Sequence, residues 1–165
     1  MIIYLDMDGV IADFFGGLSK KENKSHWKEI GDIENKIENL VGTDFFNTLD
    51  LYPTSIELVN FVKELNGDDW GICSSPLVGD YENSAFWKTE WLNKFGFTPP
   101  KKENLKFTIN KSVYATDKDG VPNILIDDRS VNVDKWIKKG GIGILYQANT
   151  DSLEDLKKIL CRKLL

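Results

Sequence analysis

Histidine is almost missing from this chain: His26 is the only one among 165 residues. It lies in a charged stretch and reads as a surface residue, so a catalytic dyad or triad built on histidine is not expected. Cysteine is scarce too. Cys73 sits in an apolar run and Cys161 in a terminal helical segment. Two distant thiols form no metal pattern, and free, buried thiols are expected rather than a disulfide. No apolar run approaches the roughly 20 residues needed to cross a bilayer. No basic segment with a cleavage site precedes the first apolar run, so a cytoplasmic location is expected. Positive charge is outnumbered, 21 Lys and Arg against 26 Asp and Glu, for a net charge of −5. Such a chain has no overall attraction for a nucleic-acid backbone, and binding to long duplexes is not expected. A small anionic substrate stays open, because a local cation can overrule net charge.

What is present is an ordinary globular composition, 41% hydrophobic and 28% charged. The length suits one domain with a small insertion, and it can bury a core without staples. Ile2-Ile3-Tyr4-Leu5 is a short apolar run that stops at Asp6-Met7-Asp8-Gly9. Trp70-Gly71-Ile72-Cys73 stops at Ser74-Ser75-Pro76, and Asn123-Ile124-Leu125-Ile126 stops at Asp127-Asp128. Ile142 to Tyr146 is a fourth run and Leu105 to Ile109 a weaker fifth. Continuous apolar runs suit strands covered on both faces, as in a parallel sheet. Helical patterns fall between them: 55–65, 83–95 ahead of the Gly96 stop, 131–139 ahead of Gly140-Gly141, and 151–165. The alternation predicts an α/β fold with a doubly wound, mostly parallel sheet. Ligands bind beyond the carboxyl ends of such strands, where these polar clusters collect.

Residues 14–52 break the alternation. Ser19 to Asn39 is highly charged and carries periodic Ile30, Ile33, Ile37 and Leu40. This predicts a small helical cap over the carboxyl edge, with residues 1–13 and 53–165 as the core. Two surface helices packed on the sheet are the alternative.

Asp6 and Asp8 carry the first chemical signal. A carboxylate at a strand end can attack a phosphoryl group and ligate magnesium, which prefers oxygen donors. A second carboxylate two residues on can protonate the leaving oxygen and then activate water. That favours hydrolysis over a pump-like role, although Asp-x-Asp-Gly is also a common turn. Asp127 and Asp128 would repel each other unless a divalent cation lay between them; a capped turn opening the next helix is the alternative. Ser74 and Ser75 could hold phosphate oxygens, or form an ordinary loop. Lys88, Lys102, Lys106 and Lys111 are candidates for a charge-offsetting cation. Among the aromatics Phe14, Phe15, Trp27, Phe45 and Phe46, only Phe14 is assigned to a substrate pocket, because it follows the Asp6 loop directly.

Taken in order, Asp6-Met7-Asp8-Gly9-Val10, Ser74, a lysine and Asp127-Asp128 resemble the signature of the haloacid dehalogenase superfamily of phosphatases. The run Asp6 to Phe14, Phe45-Phe46 to Pro53, Ile72 to Pro76, Lys88 with Trp91 and Phe95-Gly96, Asn110-Lys111-Ser112 and Leu125 to Arg129 resemble one branch, the 5′(3′)-deoxyribonucleotidases. The resemblance implies a Rossmann-like core with a small helical cap and a Mg2+-dependent hydrolase acting on nucleoside monophosphates through an aspartyl-phosphate. It implies Asp6 as nucleophile and metal ligand, and Asp8 as general acid/base lending its backbone carbonyl to the metal. Ser74, Ser75 and Phe14 would bind substrate, Lys111 would be the family lysine, and Lys88 a second phosphate contact. Asp128 would ligate the metal, with Asp127 beside it. A homodimer is a family-level expectation. Ser74 stands where the branch often carries threonine, and Leu40 and Asn47 stand where cap aromatics are expected. The alternatives are another small phosphomonoester, a nucleic-acid 3′-phosphate, or a binding protein that keeps the fold without catalysis.

Overall fold

Ile3–Leu5 form a strand (β1) with no side chain more than 2% exposed. In the computed structural model, which describes residues 1–164, this burial arises because β1 is the middle of a five-stranded parallel sheet. The others are β2 (Trp70–Ser74), β3 (Leu105–Phe107), β4 (Ile124–Asp127) and β5 (Ile142–Leu145), in the order β3-β2-β1-β4-β5. β1 pairs with β2 through Leu5 opposite Ile72, and with β4 through Leu5 opposite Ile126. The chain builds outward from β1 to β3, then returns to β4 on the other side of β1. The order reverses between β1 and β4, and crevices for ligands open at such reversals. The three clusters Asp6-Met7-Asp8, Ser74-Ser75 and Asp127-Asp128 are thereby brought to one edge.

The helices between strands are α3 (Ser55–Asn66), α4 (Tyr81–Phe95), α5 (Ser130–Lys138) and α6 (Leu153–Leu164). α3 buries Leu58, Val59 and Val62, spaced as an apolar helical stripe requires. α4 ends where Gly96 takes a left-handed φ of 70°, and Phe97 N–H then donates to the Leu92 carbonyl, a closure glycine permits at no steric cost. α4 starts two residues before the apolar pattern does, and α6 starts two residues after its expected beginning. The expected last residue of α6, Leu165, lies outside the described residues.

Residues 14–52 contain α1 (Phe14–Lys21) and α2 (Ile33–Glu38), with 3-10 turns at Trp27–Glu29 and Phe45–Thr48. The segment is less helical than its pattern suggests. Asn23 and Asp32 both have positive φ, which ends one helix and starts the next. Ile30 and Leu40 are buried outside any α-helix. Phe14, Leu18, Phe45, Phe46 and Leu49 share one buried cluster with β1 and α3. Trp91 of α4 donates its indole N–H to the Leu49 carbonyl at 2.8 Å. Cys73 and Cys161 are both free, and among the described residues no helix is long and apolar enough to cross a membrane.

Candidate active site

Asp6 follows β1 directly and is 5% exposed. Its Oδ1 accepts from Met7 N at 2.7 Å and its Oδ2 lies 2.8 Å from Lys111 Nζ. Lys111 comes from the 3-10 turn after β3. It is buried, and it also donates to Asp127 Oδ2 at 2.6 Å. Burial alone would lower an ammonium pKa, but the two carboxylates outweigh it and hold Lys111 above its ordinary value.

Asp8 is held by a second buried lysine. Lys88 of α4 is fully buried and donates to Asp8 Oδ2 at 2.6 Å and to Ser74 Oγ at 3.0 Å. Its ammonium sits 4.2 Å from the Phe46 ring centroid, a cation–π contact in a dry setting. Desolvation raises the Asp8 pKa against the opposing pull of Lys88. Its Oδ1 is buried with no hydrogen-bond partner among the described residues, and such atoms are rare without a function.

Asp127 and Asp128 end β4 and behave differently. Asp127 is fully buried. Besides Lys111, it accepts from Arg129 N at 2.9 Å and from Asn132 Nδ2 at 3.0 Å. Asp128 packs against Gly9, which has φ +79°; a Cβ there would lie 2.5 Å from the Asp128 Cγ. Burial, followed by Asp6, Asp127 and Asp8, pushes the Asp128 pKa up to about 8.

One carboxylate oxygen from each of Asp6, Asp127 and Asp128 lies within 4.8 Å of the others. The donor set is all oxygen, as magnesium prefers. Four carboxylates here face two ammonium groups, so a divalent cation would offset the remaining charge. The residues fit such an ion. Asp6 and Asp128 are the better placed ligands, because Asp127 already accepts from three donors.

A cavity of about 450 Å³ opens beside these groups, lined by Asp6, Asp8, Phe14, Phe46, Ser75 and Asp128 among others. Phe14 and Ser75 line it. Ser74, Lys88 and Lys111 are buried behind it, and both lysines are engaged with carboxylates. Asn132, which fixes Asp127, and Phe46, which covers Lys88, carry no sequence signal beyond lying in the first turn of α5 and among the aromatics near Pro53.

No family model matches the chain. It is 29% identical to the mitochondrial 5′(3′)-deoxyribonucleotidase of Mus musculus over 148 residues, an alignment covering 77% of this chain and 64% of that protein. The Homo sapiens counterpart gives 28%, with 77% and 61% covered. The chain thus spans under two thirds of these curated relatives. Among solved structures, a haloacid dehalogenase-superfamily hydrolase of subfamily IA from Geobacter sulfurreducens superposes with TM-score 0.57 at 11% identity, covering 98% of this chain and 95% of that one. A hydrolase from Pseudomonas syringae gives TM-score 0.54 at 13% identity, with 95% and 89% covered. The chain therefore has the haloacid dehalogenase-type hydrolase fold, with a sequence similar to that of 5′(3′)-deoxyribonucleotidases.

Proposed function

We propose that the chain is a Mg2+-dependent phosphomonoesterase that hydrolyses nucleoside monophosphates. The observation that carries this is the pair Asp6 and Asp8 at the end of the central strand, each fixed by its own buried lysine beside an aromatic-walled cavity. In the first step an Asp6 carboxylate oxygen attacks phosphorus. The ester P–O bond breaks, and the alcohol oxygen takes the proton of Asp8. The raised Asp8 pKa favours the protonated form this step needs. In the second step Asp8, now a carboxylate, takes a proton from water as the water oxygen attacks the aspartyl-phosphate. The P–O bond to Asp6 breaks, which restores both aspartates and frees inorganic phosphate.

Asp6, Asp128 and the Asp8 backbone carbonyl would hold the cation, with Asp127 beside them. Bound there, the ion would neutralise phosphoryl charge and orient the group. Ser75 and the buried Ser74 would bind phosphate oxygens. Lys111 pairs with the Asp6 carboxylate and would hold it in place, and Lys88 orients Asp8. Residues 14–52 would form the cap, with Phe14, Phe15 and Phe46 meeting the base. Leu40 is core at 1% exposure, so these phenylalanines would take over the sandwiching role that cap aromatics have elsewhere.

The similarity to deoxyribonucleotidases supports the nucleotide reading. The test is phosphate release from 5′- and 3′-(deoxy)nucleoside monophosphates, sugar phosphates and an aryl phosphate, with magnesium and with a chelator. Nucleotides should lead, activity should vanish with chelator, and Asp6→Asn should abolish turnover. Turnover by Asp6→Asn would refute the mechanism.

A further inference from the structure

A second cavity, about 330 Å³, starts at Gly9 and adjoins the substrate cavity, with which it shares Phe15 and Asp128. It runs into a third of about 320 Å³, with which it shares Phe15, His26, Trp27, Tyr52 and Asn149. Each lies in the range of small-molecule sites, roughly 300–1,000 Å³. Together they form a groove leading from the catalytic edge along the 3-10 turn at Trp27–Glu29.

The groove has an aromatic wall. Trp27 packs on Phe15 with centroids 5.0 Å apart and a 37° tilt, and His26 stacks on Trp27 at 5.8 Å and 30°. His26 Nδ1 accepts from Lys28 N, so a neutral ring carries its proton on Nε2. Lys24 and Lys28 have no carboxylate partner among the described residues, unlike Lys20, which is paired with Asp50. Opposite lie two amides and a hydroxyl: Gln147, Asn149 and Thr150. Aromatic faces stack on bases irrespective of sequence, and unpaired lysines meet phosphate. Amides read base edges. Lys28 lies over the Trp27 ring, 5.8 Å from its centroid, and Asp13 and Asp128 also line the groove. An aromatic stack, lysines without carboxylate partners and amides together match a nucleotide unit, a flat base attached to an anion.

We propose that this groove is a second nucleotide subsite, distinct from the cavity that presents phosphate to Asp6. The proposal rests on the nucleotidase reading for the first site only. The ligand is either a separate nucleotide or the next residue of a substrate chain.

The experiment is a calorimetric titration of the magnesium-loaded Asp6→Asn protein with a nucleoside monophosphate. Two classes of site are expected. Trp27→Ala in that background should weaken one class roughly five- to hundredfold, the span seen when a stacking aromatic is truncated. Lys24→Ala with Lys28→Ala should weaken the same class. An isotherm these changes leave unaltered overturns the proposal, as does a single equivalent in the parent when the unsubstituted chain hydrolyses that nucleotide. Trp27→Ala on the unsubstituted chain should release phosphate from an aryl phosphate at the parental rate, which shows it folded. If it does not, Lys28→Glu, a surface charge reversal, must give the selective weakening or the proposal fails. A 5′-phosphorylated dinucleotide separates the sources. One equivalent filling both classes means that one chain spans them, and two equivalents mean an independent nucleotide. If the unsubstituted chain hydrolyses the aryl phosphate but no nucleotide, while nucleotide still binds in the class that Trp27→Ala weakens, the substrate reading fails and the groove stands.

Discussion

Asp128 should be a burden on the metal-free protein, and Asp128→Asn should relieve it. The carboxyl is half-buried beside three other aspartates, and its pKa stands at about 8 against an ordinary 3.8. Its folded value is raised, so between these limits the native state binds more protons than the unfolded chain. Stability therefore falls as pH rises through this window; the penalty is absent below the ordinary value and complete above about pH 8. At pH 7 about 3 pH units of the window have been crossed, which amounts to on the order of 4 kcal/mol. Asparagine keeps the shape and removes the charge. In chelator, urea unfolding should show Asp128→Asn more stable than the parent at pH 7 to 8, with the gap closing toward about pH 4. Saturating magnesium should stabilise the parent by mass action and Asp128→Asn far less, which reverses their order. A variant no more stable than the parent in chelator at pH 8, or a gap that does not change with pH, would refute the electrostatic account.

Gly9→Ala should harm metal binding more than folding. The left-handed φ costs a non-glycine residue about 1–2 kcal/mol, and the new Cβ would displace the Asp128 carboxylate, so a magnesium titration followed by thermal shift should need a markedly higher midpoint. Lys88→Met should destabilise the chain by about 3–5 kcal/mol near neutral pH, because it strands the Asp8 carboxylate. The loss should shrink as pH falls and Asp8 takes up a proton, read from the urea midpoint at each pH. Inorganic phosphate should raise the melting temperature only when magnesium is present, since both buried lysines are already paired with carboxylates; an equal shift in chelator would contradict this.

The strand ends were legible in sequence because each apolar run stops at a polar cluster, and β1, β2 and β4 end within a residue of where the runs do. A buried parallel strand needs side chains apolar on both faces, and the short length and bounding turn clusters separate these runs from buried helix segments. Residues 14–52 were less legible. Their periodic isoleucines suggested a small, mostly helical cap, but positive φ at Asn23 and Asp32 leaves only short helices, and Ile30 and Leu40 are buried from outside them. The site's residues were also visible one by one, while their partnerships were not. Lys88 and Asp8 are 80 residues apart in sequence, and only the packing of α4 against the edge of β2 brings them together. Composition named four lysines with equal claim; the fold buries two and leaves Lys102 exposed and Lys106 against the Tyr114 ring.

The two buried lysines divide the work in a way that constrains the chemistry. If either ammonium were free, it could meet phosphate directly and the site would bind anions by itself. Instead Lys111 bridges Asp6 and Asp127, and Lys88 bridges Asp8 and Ser74. Each lysine thereby holds one aspartate of the pair. Lys111 lies against Asp6, the proposed nucleophile, and fixes its carboxylate. Lys88 fixes the orientation of Asp8 while burial still raises its pKa, so a proton can be held there and given up. In the proposed reaction, nucleophile and acid, two residues apart, need opposite protonation states in the same step. A shared cation would push both toward ionisation. Separate cations, one held at Ser74 where β2 ends and one at Asp127 where β4 ends, let the same short loop carry both.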